Sequence, residues 1–209
     1  HGIKALLVDM DGTRVNSIEA VVSAWTAWAK KHSLDPTETL HVAHGRPARD
    51  TIRLLRPKAD LFVEEQWVLN RELAEKGVVP IPGVKAYLES LEGIPWGIVT
   101  SANRSLALHR LQLAQLPSPS LLITVEDITK GKPDPEGYLL GASRLKINPA
   151  HCLVFEDTPA GLKAGRDAGM KCVGLTTTFP ITDLHAECLI KDYSQAKILR
   201  KDQGLELIF

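Results

Sequence analysis

The sequence predicts an α/β fold: a parallel sheet covered by helices on both faces, with an all-helical segment inserted near its start. Three observations predict it. Residues 3–8, Ile-Lys-Ala-Leu-Leu-Val, form an apolar run closed by two acids and a glycine, which reads as a strand buried on both faces. Residues 16–81 show helical spacing broken by prolines and glycines. From Val84 onward, helix and strand alternate, as crossovers between parallel strands require.

Composition bounds the rest. The chain has 209 residues, 44% of them hydrophobic, enough for one large domain or two small ones and too apolar for a disordered chain. Net charge is zero, so no electrostatic footprint for nucleic acid is expected. No apolar stretch reaches the roughly 20 residues needed to span a bilayer. The first strand starts at once, so no signal peptide is expected; His1 reads as a remnant ahead of it. Cys152, Cys172 and Cys188 are too few and too scattered for a disulfide framework, which points to a reduced, cytoplasmic protein.

The elements follow in order. Asn16 or Ser17 caps a helix whose apolar face is Ile18, Val21, Val22, Trp25, Trp28 and Ala29, running to about Lys31. Pro36, Gly45, Pro47 and Pro57 divide residues 35–60 into short helices. A further amphipathic helix over 61–76 presents Phe62, Trp67, Leu69 and Leu73, and Pro80-Ile-Pro82-Gly83 forms a turn-rich hinge. Residues 16–81 are therefore expected to form a separate helical cap, with 1–15 and 82–209 as the core. In the core, strands are expected at 96–100, 121–124, 153–155 and 172–175, and helices at 84–91, 103–113, 135–145 and 159–168. Leu189-Ile190 and 205–209 read as short edge strands. The core is Rossmann-like, and ligands in such sheets bind at the carboxyl ends of the strands.

Chemistry-bearing residues gather at those ends. Asp9 and Asp11 make a concentrated negative site that calls for a cation, although a fragment of a calcium loop reads the same way locally. Thr100-Ser101-Ala102 closes a strand and opens a helix, which is either an anion site or a simple cap. Lys132, in Gly131-Lys132-Pro133, is held in a rigid loop where it can face a phosphate; Lys130 reads as solvated. Glu156 and Asp157 end another strand. Asp157 suits a magnesium ligand or an N-cap, and Glu156 a ligand or an orienter of water.

Asp9-Met10-Asp11-Gly12-Thr13, the Thr100 strand end, Lys132 and the Glu156-Asp157 pair stand in one order along the chain. In that order they resemble the four motifs of the haloacid dehalogenase-like hydrolases, in the branch with a helical cap. The resemblance covers Ile3 to about Thr178. His44-Gly45-Arg46 and Phe155-Glu-Asp-Thr-Pro-Ala-Gly161 look closest to the sugar- and polyol-phosphate phosphatases, among them those acting on 2-deoxyglucose-6-phosphate, glycerol-3-phosphate and hexitol phosphates. The resemblance implies that Asp9 is the nucleophile and Asp11 the acid and base. Magnesium would be held by Asp9, the Asp11 main-chain carbonyl and Asp157. Thr100, the Ser101 and Ala102 amides and Lys132 would bind phosphate. The expected partner is a small phosphorylated sugar or polyol, and the expected state a monomer.

Arg14 stands where the family usually has an apolar residue, and is expected at the mouth of the site. With His44, Arg46 and Asn103 it is a candidate for substrate selection. Two other readings remain at this point. One is a phosphomutase of the β-phosphoglucomutase type; Thr13 favours the phosphatase, because those mutases carry a valine there. The other is a homologue that binds without turnover. The first strand lacks the glycine-rich turn of a dinucleotide-binding domain.

Overall fold

The computed structural model describes residues 2–194, 196–201 and 204–208; His1 and Phe209 lie outside them. Strand β1 (Ala5–Val8) is buried along its whole length. After a tight turn comes the two-residue strand β2 (Val15–Asn16), and then four helices: α1 (Ile18–Lys31), α2 (Pro36–Ala43), α3 (Ala48–Leu55) and α4 (Leu61–Ala74). Strand β3 (Val79–Pro80) returns the chain. There follow α5 (Val84–Glu89), β4 (Trp96–Val99), α6 (Arg104–Leu113), β5 (Leu122–Ile123), α7 (Glu136–Leu145), β6 (Cys152–Glu156), α8 (Pro159–Asp167), β7 (Lys171–Leu175), β8 (Cys188–Ile190), β9 (Lys197–Lys201) and β10 (Gly204–Ile208).

Six strands form one parallel sheet in the order β5-β4-β1-β6-β7-β8. The chain passes from β1 to β4 on one side and to β6 on the other, so β1 sits where the strand order switches. That is where a crevice opens at the carboxyl ends. Alternation along β1 divides the core. Leu6 and Val8 pack with Ile98, Phe155 and Leu111 on one face, and Ala5 and Leu7 with Val154, Tyr138 and Leu162 on the other. The register pairs Val8 with Ile98 and with Phe155, which brings Asp9, Thr100 and Glu156-Asp157 to neighbouring levels of one sheet edge.

The helical segment has its own apolar cluster around Trp25, Trp28, Ala43, Ile52 and Val68. Its two ends are tied by β2 and β3, an antiparallel pair in a stretch expected to be only a hinge. Asp35 caps α2 and Asp60 caps α4 through their side chains. Helix α4 is turned from its expected face. Glu64, Val68 and Glu72 are buried, while Phe62 is 69% exposed. The turn is stable because the buried acids have partners. Trp28 Nε1 donates to Glu64 at 2.8 Å, and Lys31 and His32 reach the same carboxylate at 2.9 Å. Burial works to raise the pKa of Glu64; the bonds from His32, Lys31 and Trp28 outweigh it and hold the group at about 2. The strand over 205–209 is not an edge of the main sheet: β10 pairs with β9 in a separate hairpin. Among the described residues no helix is long and apolar enough to cross a membrane.

Arg14 does not lie at the mouth of the site, as expected from sequence. Past the turn, its side chain drops into the core beside α5 and is 1% exposed. Its guanidinium carbon lies 4.4 Å from the Trp96 ring centroid, and none of its three nitrogens has a hydrogen-bond partner. Burial lowers its pKa, with the Tyr193 and Tyr87 side chains acting the other way. Stacking on Trp96 offsets about 2 kcal/mol, less than an unpaired buried charge costs. Arg14→Met is therefore expected to leave stability unchanged or raise it by about 1–2 kcal/mol, and to leave relative kcat/KM values across substrates within about twofold. Denaturant melts and a substrate panel check this. A loss of stability above about 1 kcal/mol would show that the charge has a favourable role in the core.

Candidate active site

The turn after β1 builds the first wall. Gly12 has φ +77°, and a Cβ there would fall 2.0 Å from Asp157 Oδ2, so the close approach of the two loops needs glycine. Thr13 Oγ1 donates to Asp157 Oδ1 at 2.9 Å. At the end of β6, Glu156 is fully buried and spends both oxygens on protein donors. Oε1 accepts from Lys132 Nζ at 2.6 Å and Tyr138 Oη at 3.0 Å. Oε2 accepts from the Asp157 and Thr158 amides and the Thr158 hydroxyl. A side chain at Gly161 would overlap this carboxylate. Glu156 is thus the anchor of Lys132 and of the Asp157 loop.

Lys132 is buried, and donates to Asp9 Oδ1, Glu156 Oε1 and the Val99 carbonyl. That accounts for all three ammonium hydrogens. Ligand oxygens of Asp9, Glu156 and Asp157 lie within 4.8 Å of one another. Three buried carboxylates share one ammonium, and an all-oxygen donor set of this kind fits a small divalent cation. Burial is the main cause that pushes Asp157 up to about 7, with Glu156 adding to it and Thr13 and Lys132 opposing. Asp9 is also raised, again mainly by burial, with Lys132 opposing and Glu156 and Asp157 adding. Lys132 is held charged: burial works against it, and the Asp9 and Glu156 carboxylates outweigh burial.

The sign of the pH effect follows. A carboxyl with a raised pKa in the folded state binds protons more tightly there than in the unfolded chain. Its contribution is present below about pH 4 and is lost as pH rises towards about 7. Metal-free protein is expected to lose on the order of 3 kcal/mol between pH 5 and 8, a fall in Tm of about 5–10 °C. A divalent cation should recover more stability at pH 8 than at pH 5. Thermal melts in chelator at both pH values test it, and a Tm that climbs with pH in chelator would contradict it. Asp157→Asn should flatten the dependence.

Asp11 is outside the carboxylate cluster. Its Oδ1 accepts from Ser17 Oγ at 2.6 Å and from Arg110 Nη1 at 2.8 Å. Ser17 stands at the N-cap position of α1, but its hydroxyl serves Asp11 and makes no capping bond. Arg110 Nη2 also lies 3.4 Å from Glu72 Oε1. Burial works against the charge of Arg110, and Asp11 and Glu72 more than offset it.

These residues meet at a cavity of about 410 Å³, with Asp9, Asp11, Asp157, Thr100, Ser101, Ala102 and Asn103 on the core side. Trp25, His44, Arg46, Leu69 and Glu72 line it from the helical segment. Thr100 Oγ1 accepts the Ala102 N–H at 3.1 Å. The Ala102 amide, expected to face an anion, is therefore occupied within the loop, and the Thr100 hydroxyl hydrogen is left to donate. Ser101 Oγ donates to the Gly45 carbonyl at 3.0 Å, joining core and helical segment. Asn103 uses its carbonyl to cap α6 at the Leu106 amide. His44 Nδ1–H donates to the Leu40 carbonyl at 2.8 Å, and its buried Nε2 has no partner; burial lowers its pKa. Arg46 keeps an unpartnered Nε at the cavity.

Carboxylates and a lysine gathered at the switch point of a parallel sheet define a hydrolytic α/β centre. The chain belongs to the haloacid dehalogenase-like hydrolase family, whose sequence model matches residues 6–175. It is 40% identical over 208 residues to hexitol phosphatase A of Escherichia coli, covering 96% of each chain. It is 31% identical to glycerol-1-phosphate phosphohydrolase 1 of Saccharomyces cerevisiae, covering 99% of this chain and 90% of that one. Among solved structures, β-phosphoglucomutase of Clostridium difficile superposes with a TM-score of 0.81 at 20% identity, over 93% of both chains; that likeness concerns the fold.

Glu72, Arg110 and Tyr138 were not singled out from sequence, and Ser17 was named only as a helix cap. Arg110 left a trace: it lies four residues after Leu106 and next to Leu111, on the apolar face of α6, where a charge signals a buried partner.

Proposed function

We propose that the protein is a magnesium-dependent phosphomonoesterase that hydrolyses small sugar or polyol phosphates through an aspartyl-phosphate on Asp9. One observation carries the reading: Asp9 and Asp11, two residues apart, face one cavity in different settings. Asp9 is held against Lys132 within the carboxylate cluster, and Asp11 against Ser17 and Arg110 outside it. Two carboxyls in distinct environments suit a nucleophile and an acid/base. The names of the relatives support the substrate class.

An oxygen of Asp9 attacks phosphorus in line, the bond from phosphorus to the ester oxygen breaks, and Asp11 gives that oxygen its proton. Water then attacks the aspartyl-phosphate while Asp11 takes a proton from it, releasing phosphate and restoring Asp9. The Thr100 hydroxyl and the Ser101 amide stabilise the transferring oxygens, each well-aimed donor contributing about 3–4 kcal/mol; Lys132, whose hydrogens are held by Asp9, Glu156 and the Val99 carbonyl, acts on the phosphate through its charge. Asp9, the Asp11 main-chain carbonyl and Asp157 would hold magnesium, which would neutralise charge where the phosphate meets the carboxylates. The helical segment, residues 16–81, acts as the cap, and His44 and Arg46 bind substrate oxygens. We read the enzyme as a cytoplasmic monomer; its three free cysteines fit a reducing compartment.

Phosphate release from a panel of sugar, polyol and nucleotide monophosphates, with magnesium and with chelator, tests the reading. Release is expected from sugar and polyol phosphates, and only with the metal. Interconversion of glucose phosphates without release would favour a mutase, and no turnover of any kind a binding protein.

A further inference from the structure

Arg110 is 3% exposed and Glu72 9%. They belong to different parts of the fold, Arg110 to α6 of the core and Glu72 to α4 of the helical segment. Their contact at 3.4 Å is, among the described residues, the ion pair that joins the two parts. The other ion pairs lie within one part or the other. Arg110 does not stop at Glu72. Its Nη1 reaches Asp11 Oδ1, the same oxygen that Ser17 Oγ donates to.

Two donors on one oxygen have a chemical consequence. A carboxyl group delivers a proton from one oxygen, and its terminal torsion is broad and nearly two-fold when nothing holds it. With Oδ1 tied to Ser17 and Arg110, Oδ2 is the oxygen left to carry the proton. Arg110 in turn needs a second anchor, because its guanidinium is buried and would otherwise be free to swing in the cavity. Glu72 supplies it as a 3.4 Å charge contact, Nη2 making no hydrogen bond there, and it arrives only when α4 is seated over the core.

We propose that Glu72, acting through Arg110, positions Asp11 so that Oδ2 faces the ester oxygen of the substrate, making the acid/base competent when the helical segment is closed. The proposal rests on the phosphatase reading and names two positioning residues for it. Neither Arg110 nor Glu72 is asked to take up a proton. The pair controls where the proton of Asp11 can go.

The test uses leaving groups. A sugar or polyol alkoxide must be protonated as it departs, whereas 4-nitrophenolate leaves without help. For each substrate kcat/KM reports the steps up to transfer onto Asp9, so the ratio between them isolates the acid. Glu72→Gln keeps the shape of the side chain and removes the charge that Arg110 Nη2 faces. It should lower kcat/KM for glycerol phosphate by about 10-fold or more, a part of what a general acid contributes, and change the value for 4-nitrophenyl phosphate by less than about threefold. Arg110→Met should widen the gap further, and Arg110→Lys should recover part of it. The double variant should be no worse than Arg110→Met alone, since the two act in one chain. Equal losses on both substrates, or no loss on either, would overturn the proposal and leave the phosphatase reading standing. A wild-type enzyme that releases phosphate from neither would overturn both. If Arg110→Met fails to fold, Glu72→Gln decides.

Discussion

Asp9→Asn lowers phosphate release by on the order of 10⁴-fold or more, while the protein remains folded. The amide has the shape of the carboxylate and can still accept from Lys132, which keeps its other bonds to Glu156 and Val99. What it loses is the ability to attack phosphorus. Its effect on stability has the opposite sign. Asp9 adds one of three negative charges to a buried cluster, and burial already raises its pKa. Removing that charge should raise the Tm of the metal-free protein at pH 8 or leave it unchanged. An assay beside a thermal melt separates the two effects. Activity above about 1% of wild type would mean that Asp9 is not the nucleophile, since loss of a nucleophile ordinarily costs far more.

The largest effect on stability is expected at Lys132. Lys132→Met leaves Asp9, Glu156 and Asp157 together with no cation among them, takes the ammonium from Asp9 Oδ1 and leaves Glu156 Oε1 with Tyr138 as its donor. Removing one partner of a buried ion pair costs about 3–5 kcal/mol. In a chain of this length that is a fall in Tm of about 10 °C. Magnesium should return part of it, because a ligand that binds only the folded state stabilises by mass action. In turnover, losing the ammonium charge beside the transferring oxygens should cost about 10²–10³ in kcat. Glu156→Gln should show the milder form: it keeps Lys132 in place but weakens the grip on Nζ and on the Asp157 loop. Melts of the two variants, with chelator and with magnesium, check the ranking. A cost for Lys132→Met below about 1 kcal/mol in chelator would show that the carboxylates are neutral in the folded protein and need no ammonium.

The strand ends were legible because their chemistry is local. An apolar run that stops at Asp9, Thr100 or Glu156 marks both the strand and the point where it meets the crevice, and the parallel register does the rest. Gly12 and Gly161 belong to the same stretches, and their need for glycine comes from the approach of two such ends. What escaped the sequence depended on contacts distant along the chain. Arg14 follows a turn whose exit direction is set by pairing between β2 and β3, so its burial against Trp96 could not be read from its neighbours. The apolar face expected for α4 did not include Glu64 or Glu72, because a buried acid makes sense only beside Trp28, Lys31 and His32 or beside Arg110. Phe62 went to the exposed side in exchange. The short strands β9 and β10 pair with each other and, among the described residues, bridge to the rest of the core from Leu205 to Ile3, a contact distant along the chain.

Trapping the covalent state tests the central claim most directly. Enzyme mixed with a polyol phosphate and magnesium, then quenched with borohydride, should carry homoserine in place of aspartate at position 9 and at no other aspartate, because an acyl phosphate is reduced and a free carboxylate is not. The same modification should be missing in chelator and in Asp9→Asn. Steady phosphate release with Asp9 unmodified under these conditions would contradict the account, and would mean that water attacks the substrate directly.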